Sequence, residues 1–167
     1  MDSNRIFELR RTINEFEDKK VPKKQIIEAI EAGNLAPCHR LTFPWRFKSI
    51  KRKNRVKIAE LYLEIKSQNK TLTKNIKQKL MNKIMNSSHL IVASQIKEKN
   101  KKIDLENYAA CSCAIQNIML SLASNDIGSK WSTGKVTEHR RTYEITEINS
   151  KKEKIIGFIF IGFGRIP

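Results

Sequence analysis

The chain has 167 residues, 40% hydrophobic and 30% charged, enough for one domain with a buried core and too apolar for wholesale disorder. No stretch approaches the roughly eighteen uninterrupted apolar residues of a membrane span, and Met1-Asp2-Ser3-Asn4-Arg5 lacks the features of a secretory signal, so one cytoplasmic domain over residues 1–167 is expected. The formal net charge of +16 raises nucleic acid as a partner; the lysines are strewn along the whole chain, however, and the densest clusters, Lys51 to Arg55 and Lys97 to Lys102, hold no aromatic residue for base stacking. A solvated basic surface is therefore the first reading and a nucleic-acid-binding module its rival.

Asp2 or Ser3 can cap a first helix in which Ile6, Leu9, Ile13 and Phe16 recur three and four apart, with Arg10 and Arg11 beside the apolar stripe. Pro22 opens a second helix carrying Ile26, Ile27 and Ile30, and Gly33-Asn34 ends it. Ala36 to Pro44 reads as an irregular loop bounded by prolines, and Trp45 to Ile50 as a short strand. Two helical patterns follow between Arg55 and Met85, Ile58-Leu61-Tyr62-Ile65 and Ile76-Leu80-Ile84, with a polar break at Gln68-Asn69. His89 to Ser94 contains the continuous run Leu-Ile-Val-Ala of a buried strand, and Lys97 to Lys102 is a solvated connection. Leu105 to Ala123 is apolar nearly all round, the composition of a central core helix. Cys111 and Cys113 lie in it two apart, facing different sides; they cannot jointly grip a metal, form no disulfide framework with Cys38, and read as buried small hydrophobes. Ile127 to Gly134 reads as the exit of this helix into a short polar loop with two glycines. Thr137 to Tyr143 then reads as a short helix, and Lys154 to Gly162, apolar on both faces, as the central strand. Helices separated by few strands give a three-layer α/β or α+β domain.

Three segments carry a family resemblance: Arg10-Arg11-Thr12, then Ala36-Pro37-Cys38-His39-Arg40 with Pro44-Trp45-Arg46-Phe47, then Gly128-Ser129-Lys130-Trp131-Ser132-Thr133-Gly134. In that order and at those separations the chain resembles, from Arg10 to Ile161, the nitroreductase family of flavin-dependent enzymes, in particular its small bacterial YdjA-like type. The resemblance implies an α+β fold, a three-layer sandwich whose central, mostly antiparallel sheet is flanked by helices, and a homodimer holding FMN at the subunit interface. It implies that Arg10 and Arg11 contact the FMN phosphate and Thr12 the ribityl chain, for which a planar guanidinium fork and a hydroxyl are chemically apt. His39 would lie against a flavin bound mainly by the other subunit. The position matching Leu35 is basic or polar in the resembling enzymes, and Leu35 has no side-chain donor. Trp131, Ser132, Thr133 and Gly134 match a loop that runs along the isoalloxazine ring, with Trp131 either packing near the ring or plugging the core beneath it. Arg165, after the last strand, matches a basic residue that reaches the phosphate.

No Gly-x-Gly-x-x-Gly follows a strand, and no Ser-His-Asp order, Lys-Ser or Lys-Thr phosphate loop or His-x-x-x-His pair occurs. In the resembling family none is needed, because the nicotinamide stacks on the flavin. NADH or NADPH would then deliver hydride to flavin N5, and a nitroaromatic, quinone-like or other conjugated small-molecule acceptor would take up reducing equivalents in ping-pong fashion, without a catalytic side chain or a metal. The excess positive charge would favour reduced anionic flavin and a phosphorylated nicotinamide. A degenerate flavin-binding relict without turnover is a further alternative.

Overall fold

The computed structural model describes residues 3–68 and 71–164, the Ser3 side chain excepted. Along the chain run α1 (Ser3–Leu9), α2 (Lys23–Asn34), β1 (Trp45–Ser49), α3 (Arg52–Ser67), α4 (Lys74–Asn86), β2 (His89–Ile96), α5 (Lys101–Ala123), β3 (Gly128–Ser132), α6 (Lys135–Glu138), α7 (Arg140–Thr146) and β4 (Glu153–Gly162). The strands form one sheet in the order β1-β2-β4-β3, each neighbouring pair antiparallel. Strand β4 is interior, as its two-sided apolar sequence requires: Phe158, Ile159, Phe160 and Ile161 are all fully buried. Alternation along β2 and β4 separates two cores. Ile91, Ala93, Ile159 and Ile161 face Ile115, Ile118 and Leu122 of α5, with α2 behind it, while Leu90, Val92, Phe158 and Phe160 face Ile58, Leu61 and Ile84 of α3 and α4. The result is the expected three-layer α+β sandwich.

Three sequence expectations are corrected. The first helix stops at Leu9, although Ile13 and Phe16 keep helical spacing and are buried. Their backbone is claimed by the sheet instead: Ile13 N–H donates to the Ser129 carbonyl at 3.3 Å and Thr12 bridges Ser129 in parallel. Gly128–Ser132 is an edge strand rather than a loop, paired residue for residue with β4 from Gly162 to Phe158; only Thr133 and Gly134 continue as a turn. Cys113 is exposed whereas Cys111 is buried, since residues two apart on α5 point to different layers. The caps expected at Asp2 and the Ser3 side chain, and Asn69 of the expected break, lie outside what is described.

Two polar features lock the packing, one in the α3 and α4 layer and one in the sheet. The buried guanidinium of Arg55 donates to the carbonyls of Ile50 (3.1 Å), Ser87 (2.6 Å) and Ser88 (3.1 Å), tying the end of β1, α3 and the exit of α4 together. Burial pulls its pKa below the usual arginine value, with the neighbouring Arg52 charge adding to the effect. In the sheet, Ala93 pairs with Gly157 but Ser94 pairs with Ile155, so Ile156 is an extra residue on β4. Such a bulge disrupts the ladder locally and re-aims side chains. Here the Ile156 carbonyl accepts the indole N–H of Trp131 at 3.2 Å.

Candidate functional site

Strand β3 pairs with β4 along one side only, and its other side is the edge of the sheet. Because Ser129 C=O accepts from Ile13, the Ser129 backbone points away from β4; by strand periodicity the N–H and C=O of Trp131 point to the same outer edge. Of the predicted site residues, Arg10, Arg11, Thr12 and Trp131 to Gly134 distribute along this edge. At its start, Arg10 and Arg11 line a recess of about 80 Å³ together with Gly128, Ser129, Asp126 and Gly164. Arg10 is half-buried and Arg11 exposed, and both follow the end of α1 rather than riding on its flank. Arg11 donates to the Phe7 and Arg10 carbonyls at 3.1 Å each, and among the described residues neither arginine forms an ion pair. Gly164 is pinned beside them, a β-carbon there falling 2.2 Å from the Glu15 carbonyl oxygen. The next residue, Arg165, lies outside the described residues.

At the far end of β3, Thr133 and Gly134 line a cavity of about 330 Å³ with Tyr62, Ile65, Lys66 and Val136. Gly134 has φ +122°, a conformation that disfavours a side chain, although nothing lies within 4 Å of where a β-carbon would stand. The Tyr62 hydroxyl is buried with no partner of hydrogen-bonding geometry. Burial raises its pKa, and the nearby Ser132 hydroxyl partly offsets the shift. The Trp131 side chain packs into the α5-side core over Gly157, so of the two roles open to it the indole takes the core plug, leaving its backbone at the edge.

Between these ends lies a cluster that the sequence did not announce. Lys130 and Phe160 are cross-strand partners on the α4 side of the sheet, and the Lys83 ammonium of α4 sits 4.6 Å above the Phe160 ring. Lys130 also donates to the Asn14 side-chain oxygen. Lys83 is pulled down from 10.5 to about 8, mainly by burial and further by Lys130 and Lys66. Asn14, Phe16, Lys66, Lys79 and Lys83 wall a cavity of about 540 Å³, in which Glu15 is the one carboxylate among the described lining residues. A half-buried ammonium without an ion pair is costly unless an electron-rich group fills the space beside it. The signal available in sequence was the position of Lys83, three residues after Leu80 and next to Ile84, at the margin of the apolar stripe of α4.

His39 and Leu35 are not brought to this edge within one copy of the chain. His39 is exposed in a short 3-10 turn, and Leu35, 83% exposed, caps α2 beside an apolar groove that it lines with Phe7, Ala32 and Leu120. Leu41, Phe43, Leu105 and Tyr108 are further apolar side chains exposed on the α2 and α5 layer. Among the described residues no cluster of three or more His, Cys, Asp or Glu could hold a metal, and no helix is long and apolar enough to cross a membrane.

Residues 8–163 match the model of the nitroreductase family. The chain belongs to that family. It is 25% identical over 141 residues to YfhC of Bacillus subtilis (strain 168), which carries the name of an NAD(P)H nitroreductase; the match covers 83% of this chain and 73% of YfhC. Among solved structures, a nitroreductase-like family protein from Bacillus cereus superposes with a TM-score of 0.82 at 23% identity, covering 100% of this chain and 88% of the other. A nitroreductase with bound FMN from Bacteroides fragilis NCTC 9343 superposes with a TM-score of 0.76 at 19% identity, covering 99% and 90%. In this family member, then, the open edge of β3, the arginine recess and the lysine cluster are the features to be explained.

Proposed function

We propose that this family member is an FMN-dependent NAD(P)H oxidoreductase that reduces nitroaromatic, quinone-like or related conjugated acceptors, and that FMN lies along the outer edge of β3. The observation that carries this reading is the half-buried Lys83 ammonium beside that edge, which forms no ion pair among the described residues, with arginines free of ion pairs at one end and the buried Tyr62 hydroxyl at the other. At about 3.4 Å per residue the edge from Gly128 to Gly134 is about 20 Å long, enough for an extended ribityl phosphate and a ring. The donor set fits the cofactor. Arg10, Arg11 and Arg165 would hold the phosphate and Thr12 the ribityl chain. The backbone of Trp131 to Gly134 would line the ring edge, and Lys83 and Lys130 would stand at its electron-rich pyrimidine side, where positive charge favours the reduced anion. His39 and the Leu35 position would reach the cofactor of a partner subunit, with the exposed apolar side chains of the α2 and α5 layer as the dimer face.

Bound FMN supplies the capacity to take a hydride from reduced nicotinamide and to hand on two electrons. Per turn a nitro group then takes up two electrons and two protons and yields a nitroso group and water. The protein binds and orients, and no side chain need act as nucleophile. The test is the visible spectrum of the purified protein with FMN added, followed by anaerobic titration with NADPH and with NADH. A flavin band that bleaches, more readily with NADPH, is expected. A colourless protein that takes up no FMN would overturn the reading, and salt-sensitive DNA or RNA binding by such a protein would favour the nucleic-acid rival. A band that refuses to bleach would mark a relict. Arg10→Ala is expected to weaken FMN binding by about 1.5 kcal/mol, the low end for a hydrogen bond to a charged group because Arg10 is only half-buried. Unchanged affinity in a flavin-fluorescence titration would remove Arg10 from the phosphate site.

A further inference from the structure

The lysines around the β3 edge outnumber what one flavin ring can use. Lys83 sits over the ring of Phe160, whose cross-strand partner on β3 is Lys130, next to the edge that the flavin would follow. Lys66 is a shared wall: it lines the 540 Å³ cavity with Lys83 and also the 330 Å³ cavity beyond it. The smaller cavity has an apolar wall of Tyr62, Ile65 and Val136, a second lysine, Lys135, at its margin, and no carboxylate among its described lining residues. The nearest acidic candidate on the same helix, Glu64, is engaged by Arg141 and does not neutralise Lys66. Among the described residues neither Lys66 nor Lys135 forms an ion pair.

From this juxtaposition of an apolar wall and two exposed ammoniums that form no ion pair among the described residues we propose that the cavity beyond the β3 edge selects an acceptor that is both aromatic and anionic, with Lys66 the specificity-determining residue for its carboxylate. The inference rests on the flavin reading and adds the substrate class. The ring of the acceptor lies against Tyr62, Ile65 and Val136, and its carboxylate meets Lys66, with Lys135 in support. A neutral isostere of the same ring keeps the apolar contact and loses the charge.

The probe pair is 4-nitrobenzoate and its neutral methyl ester, titrated calorimetrically at low salt into protein saturated with FMN. The acid is expected to bind about fivefold more tightly, the scale of one partly exposed charge pair, with the preference shrinking as salt is added. Lys66→Gln should abolish most of that preference while leaving affinity for the ester unchanged, and Lys66→Arg should restore it. In steady-state reduction by NADPH the Lys66→Gln defect should fall on KM for the acid rather than on kcat. Equal affinities for acid and ester, or a preference that survives Lys66→Gln, would overturn the proposal while leaving the flavin reading standing. Failure of the protein to take up FMN at all would sink both, and the spectrum reports that outcome before any acceptor is added.

Discussion

Replacing Lys83 by methionine is expected to move cofactor affinity and apoprotein stability in opposite directions. If the ammonium faces the pyrimidine side of FMN, its loss should weaken FMN binding by about 2–3 kcal/mol, the upper range for a charge-assisted bond in a half-buried site. The same change removes a desolvated charge lying among Phe160, Lys130 and Lys66, and the apoprotein should gain on the order of 1–2 kcal/mol at pH 7, a figure discounted for the part of the side chain that water still reaches. The pH dependence has a defined sign. The unfolded chain keeps the Lys83 proton up to about 10.5, whereas the folded chain releases it at about 8. The penalty is therefore fully present below about pH 8 and is relieved as pH rises toward about 10.5, so this group makes the wild-type apoprotein more stable across that window. The stability gap to Lys83→Met should narrow over the same range, and FMN binding by the wild type should weaken above about pH 8 while the variant shows no such step. Denaturant melts at pH 7 and pH 9.5, paired with FMN titrations, measure both. A variant that loses stability and keeps its FMN affinity would show that Lys83 is a structural residue.

The second large effect is expected from Gly157→Ala. A β-carbon at Gly157 would come within 2.1 Å of the Trp131 indole nitrogen and 3.1 Å of the Ser132 carbonyl oxygen. The indole has to move, which breaks its 3.2 Å bond to the Ile156 carbonyl on the bulge and pushes β3 outward. Overpacking together with a lost, partly buried hydrogen bond should cost about 2–4 kcal/mol. The displacement falls on the strand that lines the proposed flavin edge, so FMN affinity should drop as well. Thermal unfolding and flavin titration of this variant, compared with Ala93→Gly on the facing strand, separate strain at Trp131 from general loosening of the sheet. A wild-type melting temperature in Gly157→Ala would disprove the clamp.

Much of this architecture is legible in the sequence, and the reasons differ by element. The two-sided apolar run from Ile155 to Ile161 declares a central strand, because an interior strand buries both faces, and the nearly all-apolar Leu105 to Ala123 declares a core helix, although Leu105, Tyr108 and Cys113 remain exposed on its outer side. Ile13 and Phe16 mislead by keeping a three-residue spacing that fits a helix. Backbone pairing with Ser129 decides otherwise, and spacing carries no record of it. Gly128 to Ser132 looks like a loop because, Trp131 apart, its residues are small or polar. That polarity belongs to an edge strand, paired with β4 on one side only. Arg10, Arg11 and Trp131 to Gly134 could be picked out by resemblance, whereas Lys83 could not. It is one lysine among many on an amphipathic helix, and only the packing of α4 onto Phe160 and Lys130 distinguishes it.

The sheet has two margins, and they are defended unequally. On β1, Arg46 and Lys48 face solvent and discourage another strand from adding on. On β3, the stretch around Thr12 covers only the beginning, and beyond it the backbone of Trp131 faces outward next to a glycine turn. A bare margin of this kind can template misassembly, so a molecule bound there would also act as a chaperone for the fold, and cells starved of it should accumulate this polypeptide as aggregates.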